Sequence, residues 1–262
     1  MSQSFLTLEP RDIDAWIDRN RTAPGPWVFH HIPKTAGSSM AAELAAAAAP
    51  YVNIHPDYSA TSLETTDSMM AAIDRFLDQT GGRVRSVSGH FAGRHFDHLR
   101  AGLPEGHRAF TFLRHPVARI YSEYNYCMTP RHPPWRMFAE RFPTIRDFIE
   151  APAEQDKCAL YMFGTTRITP AEAIARMGQT YAVIGLQERY PVSFLLISAL
   201  IWKPAVPSRR ERTASEAATV DAATAAAIIA RNPVDMALFE AVAKVYNRIG
   251  PTLWDRLRPL AV

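Results

Sequence analysis

Lysine is scarce in this chain. Of 262 residues only four are lysine (Lys34, Lys157, Lys203 and Lys244), against 25 arginines. GC-rich coding produces such a bias, but it also makes a lysine set in a loop worth following. Cysteine is scarcer still. Cys127 and Cys158 are too few for a disulfide framework or a Cys-rich zinc site. The segment Met1–Trp16 has no apolar run and carries Glu9, Asp12 and Asp14, so it does not read as a signal peptide. The longest apolar stretch, Val192 to Trp202, includes two serines. It falls well short of the roughly 20 residues a membrane span needs. A large charge imbalance is also missing, at 29 Lys+Arg against 26 Asp+Glu, which argues against a nonspecific nucleic-acid binder. The expectation is a soluble, cytoplasmic protein. A hydrophobic content of 47% supports a sizeable core, and no repeat or long linker divides the chain. One domain is expected over 1–262, with 1–25 as an N-terminal extension and 27–249 as its core.

The local patterns alternate between strand and helix. Residues 9 to 20 place Ile13, Trp16 and Ile17 at helical spacing. Trp27–Ile32 is aromatic and β-branched and reads as a buried strand, followed by a loop and a helix-forming run from Ser38 to Ala49. Thr66 to Gln79 has helical spacing, and Val84 to Ser88, Phe110 to Leu113 and Ala182 to Gly185 read as strands. Arg131 to Pro143 shows no clear period and reads as a long ordered loop. Val192 to Trp202 reads as a buried helix. Thr213-Ala-Ser-Glu216 fits a capping box opening a helix to about Ala230, and Val234 to Ile249 forms the last helix. This order predicts an α/β fold: a central parallel sheet flanked by helices in three layers, P-loop-like in form.

Two segments carry candidate chemistry. Pro33-Lys-Thr-Ala-Gly-Ser-Ser39 lies between a strand and a helix start, where backbone N–H groups and the helix dipole favour an anion. Gly37 allows close approach, and Lys34, Thr35, Ser38 and Ser39 supply donors. It is not G-x-x-x-x-G-K-[ST], because its lysine comes first. A plain turn with an N-capping serine is the structural alternative. The second segment is Phe110 to Ser122, with Arg114 at a strand end and Pro116 opening a helix. A helical wheel sets Val117, Ile120, Tyr121, Tyr124 and Met128 inward, and Arg119, Ser122 and Tyr126 outward. Arginine forks and a hydroxyl suit phosphate oxygens. The alternative is a structural arginine and a solvated serine.

Taken together, PKTAGSS after one strand and R-x-P-x-x-R-x-x-S after a later one resemble the sulfotransferases that use 3′-phosphoadenosine-5′-phosphosulfate (PAPS). The closer likeness is to the carbohydrate branch with the heparan sulfate 2-O-sulfotransferases and their bacterial relatives. Ser88-Gly-His-Phe91, Ile184-Gly-Leu-Gln-Glu188 and the stretch from Asn232 to Tyr246 agree as weaker landmarks. The resemblance implies that Lys34, Thr35, Ala36, Gly37, Ser38 and Ser39 hold the 5′-phosphosulfate, with Lys34 assisting the leaving group. It implies that Arg114 and Ser122, with Arg119 beside them, hold the 3′-phosphate. His90 is then the general base, with no metal and a hydroxyl acceptor, expected on a carbohydrate or glycolipid. His115 stands where the family often has Asp. Arg209, Arg210 and Arg212 form a basic cluster that reads either as a lid over the nucleotide or as a solvated loop.

Other readings stay open on sequence. His90 can be a surface-loop residue, and His95, Asp97 and His98 lack a third ligand of convincing spacing. Glu154–Leu160 departs from the family's Asn-Gln-rich stretch. Arg131–Arg141, with Trp135 and Phe138, either shapes an acceptor site or packs its aromatics inward. Sulfation of a tyrosine or small phenol, a nucleotide-dependent kinase, and a noncatalytic nucleotide- or glycan-binding protein are the functional alternatives.

Overall fold

The structure, a computed structural model, describes residues 4–21, 25–56, 62–81, 83–208 and 220–261. In chain order the elements are α1 (Ile13–Arg21), β1 (Trp27–His30), α2 (Gly37–Ala47), β2 (Tyr51–Ile54), α3 (Ser62–Thr80), β3 (Ser86–Gly89), α4 (Gly93–Gly102), β4 (Arg108–Leu113) and α5 (Pro116–Cys127). There follow α6 (Trp135–Arg141), α7 (Ile145–Glu150), α8 (Lys157–Phe163), α9 (Pro170–Thr180), β5 (Val183–Leu186), α10 (Tyr190–Ile201), α11 (Ala222–Arg231) and α12 (Pro233–Leu257).

The strands form one five-stranded sheet in the order β2-β3-β1-β4-β5, parallel at every pairing. Every residue of β1, β3 and β5 is buried. Successive strand side chains point to opposite faces, so helices must cover both sides of the sheet. The expected α/β architecture is the observed one. From β1 the chain first builds the β2 and β3 side, then crosses to β4 and β5. The connection therefore reverses direction around β1, and such a point leaves a crevice outside the carboxyl ends of the strands.

The core extends beyond residues 27–249. Phe5, Leu8, Ile13, Trp16 and Ile17 belong to it, as do Leu253 and Leu257. The last helix continues to Leu257 through Pro251. The stretch from Arg131 to Pro143, expected as a loop, contains α6, whose Phe138 packs with Phe142, Phe148 and Ile120 in a second cluster. No helix among the described residues is long and apolar enough to cross a membrane. The capping box expected at Thr213–Glu216 lies outside the described residues; the described helix begins at Ala222, capped by Asp221.

Two helix starts close each other. The Asp156 carboxylate accepts from the backbone N–H groups of Val234 (3.0 Å) and Asp235 (2.9 Å) at the head of α12. In return Asp235 accepts from Cys158 and Ala159 at the head of α8, both at 3.0 Å. Orphan donors of both first turns are satisfied by this exchange.

Candidate active site

The loop after β1 is held in an unusual shape. Lys34 and Ala36 both adopt left-handed backbone, with φ of 68° and 76°. Each costs a non-glycine residue about 1–3 kcal/mol, so the surroundings must enforce it. Thr35, buried between them, donates its hydroxyl to the Ile32 carbonyl at 2.8 Å and pins the turn. Left-handed residues flanking Thr35 are the kind of backbone that builds anion-binding concavities where they alternate with right-handed ones. The loop runs straight into α2, whose N-cap, Ala36, has no side chain able to cap the first turn. Gly37 opens that helix because nothing larger fits: a Cβ there would lie 1.6 Å from Nε2 of His31.

The His31 ring stacks on Phe29 at 5.3 Å and lies 3.9 Å from the ring of His90, centroid to centroid. His90 follows β3, the neighbour of β1. Its Nδ1 is 2.8 Å from the His31 carbonyl oxygen. A carbonyl only accepts, so Nδ1 carries the hydrogen, and in the neutral ring Nε2 keeps its lone pair. Desolvation lowers the His90 pKa from 6.5, and the hydrogen bond to His31 offsets this in part. Near neutral pH the ring is therefore an uncharged base with its acceptor nitrogen fixed. His30, one residue before His31, is wholly buried. Its Nδ1 meets the Tyr181 hydroxyl and its Nε2 the Phe91 carbonyl, both at 2.8 Å, so it is a structural histidine.

Arg114 leaves β4 on the other side of β1. Its guanidinium donates to the Lys34 carbonyl at 3.3 Å and so ties the third loop to the first. Desolvation lowers its pKa, with Glu188 acting against that and Arg119 with it. Glu188, just after β5, accepts the His115 N–H at 2.9 Å. His115 caps α5: its Nδ1 accepts from the Val117 N–H at 3.3 Å, a service an aspartate also performs at this position. The Lys34 ammonium rests 4.0 Å from the centroid of the Tyr126 ring, on α5. Ser122 is partly exposed on the same helix and makes no hydrogen bond with the described residues.

Arg119 is elsewhere. The wheel sends it outward with Ser122, but it is 1% exposed and paired with Glu123 at 2.6 Å. Glu123 also accepts from Lys157 at 3.0 Å, and Lys157 in turn pairs with Glu154. The buried stripe of α5 is thus Pro116, Arg119, Ile120, Glu123 and Cys127. An inward arginine is tolerated because two acids and a lysine from α8 complete a buried network around it. Arg119 is therefore a buried cation and not an outward one; its Nε and Nη2 make no hydrogen bond with the described residues, and its charge helps lower the Arg114 pKa. Arg209, Arg210 and Arg212 lie outside the described residues. The segment leading to them is anchored: Glu43 of α2 accepts from the Ser208 N–H at 2.8 Å and from its hydroxyl.

No family model matches this chain, and no curated protein matches it in sequence. The site must speak through its geometry. The structure brings Lys34 to Ser39, His90 and Arg114 to the carboxyl ends of three adjacent strands, β3, β1 and β4. β1 and β3 end level, His30 pairing with Gly89, while β4 runs two residues beyond Thr111, the partner of His30, before Arg114. Two cations, a loop with left-handed backbone and a neutral imidazole base thus gather at the carboxyl ends of adjacent strands. Such a set can hold a polyanion and accept a proton beside it. Tyr126, Glu43 and Glu188 support it; sequence reading placed Tyr126 outward and Glu188 in a weaker landmark without a role at the site, and passed over Glu43. Only their distance in space, not their spacing in the chain, links them to the loops.

Proposed function

We propose that this protein transfers a sulfonate group from PAPS to a hydroxyl on a carbohydrate acceptor. The observation that carries the reading is the cross-tying of three loops at the switch point: Arg114 to the Lys34 carbonyl, and His90 to the His31 carbonyl. The donor is a substrate with two anionic ends. The concavity from Lys34 to Ser39 suits its 5′-phosphosulfate, and Arg114, with Ser122 on the helix that follows, suits its 3′-phosphate. Arginine forks match that group well.

In the reaction the acceptor oxygen attacks sulfur while Nε2 of His90 takes the hydroxyl proton. The bond from sulfur to the phosphate oxygen breaks, and its electron pair leaves with adenosine 3′,5′-bisphosphate. The Lys34 ammonium, moving off Tyr126, meets the charge that develops on that oxygen, a type of term that usually dominates such catalysis. Hydroxyl sulfation by this route needs only proton acceptance and charge neutralisation, both of which the crevice supplies. The exposed arginines of the α6 region, Arg131, Arg136 and Arg141, favour an acidic sugar as acceptor.

Calorimetric titration tests the donor. Adenosine 3′,5′-bisphosphate is expected to bind without magnesium and far more tightly than AMP or ADP. Equal binding of ADP, or binding that requires magnesium, would put a kinase-type reaction in its place.

A further inference from the structure

We propose that a cleft at the amino end of the sheet is a second anion site, for a tetrahedral oxyanion (phosphate or sulfate), either free or at the end of a small ester. The cleft, about 190 Å³, lies between the start of β4 and the residues that lead into β5. It is therefore at the opposite end of the strands from Lys34 and His90, and it is independent of the sulfonate-transfer reading.

Two arginines line it, Arg100 from α4 and Arg108 as the first residue of β4. The Nε atom of each is buried and has no hydrogen-bond partner. Neither guanidinium forms an ion pair or a hydrogen bond with the described residues. Arg100 does lie 5.6 Å from the centroid of the Phe96 ring. A ring face answers the positive charge but not donors that point along the guanidinium plane. Buried donors are normally paired, so two on neighbouring arginines mark a place where an acceptor is missing. No aspartate or glutamate lines the cleft among the described residues. Asn20, Gln179 and Thr180 add neutral polar groups.

The ligand must therefore bring negative charge and several oxygens. An arginine Nε–H and its neighbouring Nη–H form a fork that takes two oxygens of one acid. A carboxylate has one such edge to offer. A tetrahedral oxyanion presents separate edges to both arginines, which arrive from different elements. The volume leaves room for a few further atoms, as in a glycerol phosphate.

The test is a titration of the full chain with sodium phosphate, sodium sulfate and glycerol 3-phosphate, at ionic strength held constant with sodium chloride. Heat and Tm are followed with and without saturating adenosine 3′,5′-bisphosphate. One oxyanion per chain is expected with the bisphosphate filling the Lys34–Ser39 concavity, and this binding persists without it. Binding should weaken at least about tenfold in Arg100→Gln and in Arg108→Gln, the loss of one charge-assisted fork. Preference for glycerol 3-phosphate identifies an ester end, and equal binding identifies the free ion. Arg108→Lys, which keeps the charge and loses the fork, gives the same weakening if a Gln variant does not fold. Absence of binding above the chloride control, or binding undiminished in the arginine variants, overturns the proposal.

Discussion

Replacing Gly37 by alanine places a methyl carbon 1.6 Å from Nε2, 1.8 Å from Cδ2 and 2.3 Å from Cε1 of His31. Non-bonded carbons rest at about 3.5–4.0 Å, so the ring has to move. It has little room, with Phe29 stacked on it at 5.3 Å and the His90 ring 3.9 Å away. Overpacking of this kind costs about 1–3 kcal/mol, and a clash this deep argues for the upper end. For a chain of this size about 3 kcal/mol lowers Tm by roughly 6–12 °C. The displaced imidazole also pushes on His90, so donor binding and turnover are expected to fall with stability. Removing the ring removes the clash. Gly37→Ala combined with His31→Ala should be more stable than the sum of the single effects predicts, a positive coupling of about 1–3 kcal/mol. Thermal and urea denaturation of the two single variants and the double variant give all the terms. An unchanged Tm in Gly37→Ala, or strictly additive effects, would refute the packing argument and with it the reason for glycine at this position.

His90→Ala should leave bisphosphate affinity intact and lower sulfonate transfer about 10²–10⁴-fold, the usual worth of a general base. Because desolvation by its neighbours lowers the His90 pKa, wild-type activity should fall on the acid side with a midpoint below 6.5; a midpoint above 6.5 would contradict the assignment. Arg114→Ala should weaken the bisphosphate about 10–150-fold, as expected for an unpaired phosphate, with AMP affinity much less affected. Stability should decline in acid on account of His30, whose pKa is lowered to about 4. Between pH 6.5 and 4 the unfolded chain binds this proton and the folded one does not, so folding loses up to roughly 3 kcal/mol as the pH falls. Urea midpoints measured across that range should fall less steeply in His30→Gln, with a residual slope from His31, whose pKa burial also lowers. Glu123→Ala leaves Arg119 and Lys157 buried without their shared partner and should cost about 3–5 kcal/mol, read by denaturation.

The parts of this fold that are legible in the sequence are those where local pattern and tertiary role coincide. Trp27–Phe29 is apolar because the strand is buried on both faces, and the loop after it announces itself with Lys34 and Gly37 ahead of an alanine-rich helix. β2 escapes notice because it is four residues long, carries Asn53, and lies between Pro50 and Pro56. It forms through pairing with β3, assisted by Tyr51 and Ser88, whose hydroxyls are 2.6 Å apart. The helix α6 hides among prolines and arginines, although Phe138 and Phe142 at i, i+4 mark its packed side. The start of α9 was readable: Thr169-Pro-Ala-Glu172 is a capping box, and the structure forms it. Arg119 misleads because its i+4 partner Glu123 is turned inward with it and is held from the other side by Lys157, of a helix far along the chain. A helical wheel assigns charge to solvent and cannot see an acid and a lysine waiting inside.

The exchange of carboxylates between Asp156 and Asp235 makes α8 and α12 interdependent. Each acid sits in the segment whose neighbour it closes, so neither helix start can fray without stripping donors from the other. Pieces of chain 76 or more residues apart therefore open as one cooperative unit rather than as two independent ends. α8 contributes Lys157 to the network that holds Glu123 and Arg119 of α5. α5 in turn carries Tyr126, on which Lys34 rests. Rigidity at the crevice is thus inherited from the far end of the sequence, passed inward through a clasp between two helices.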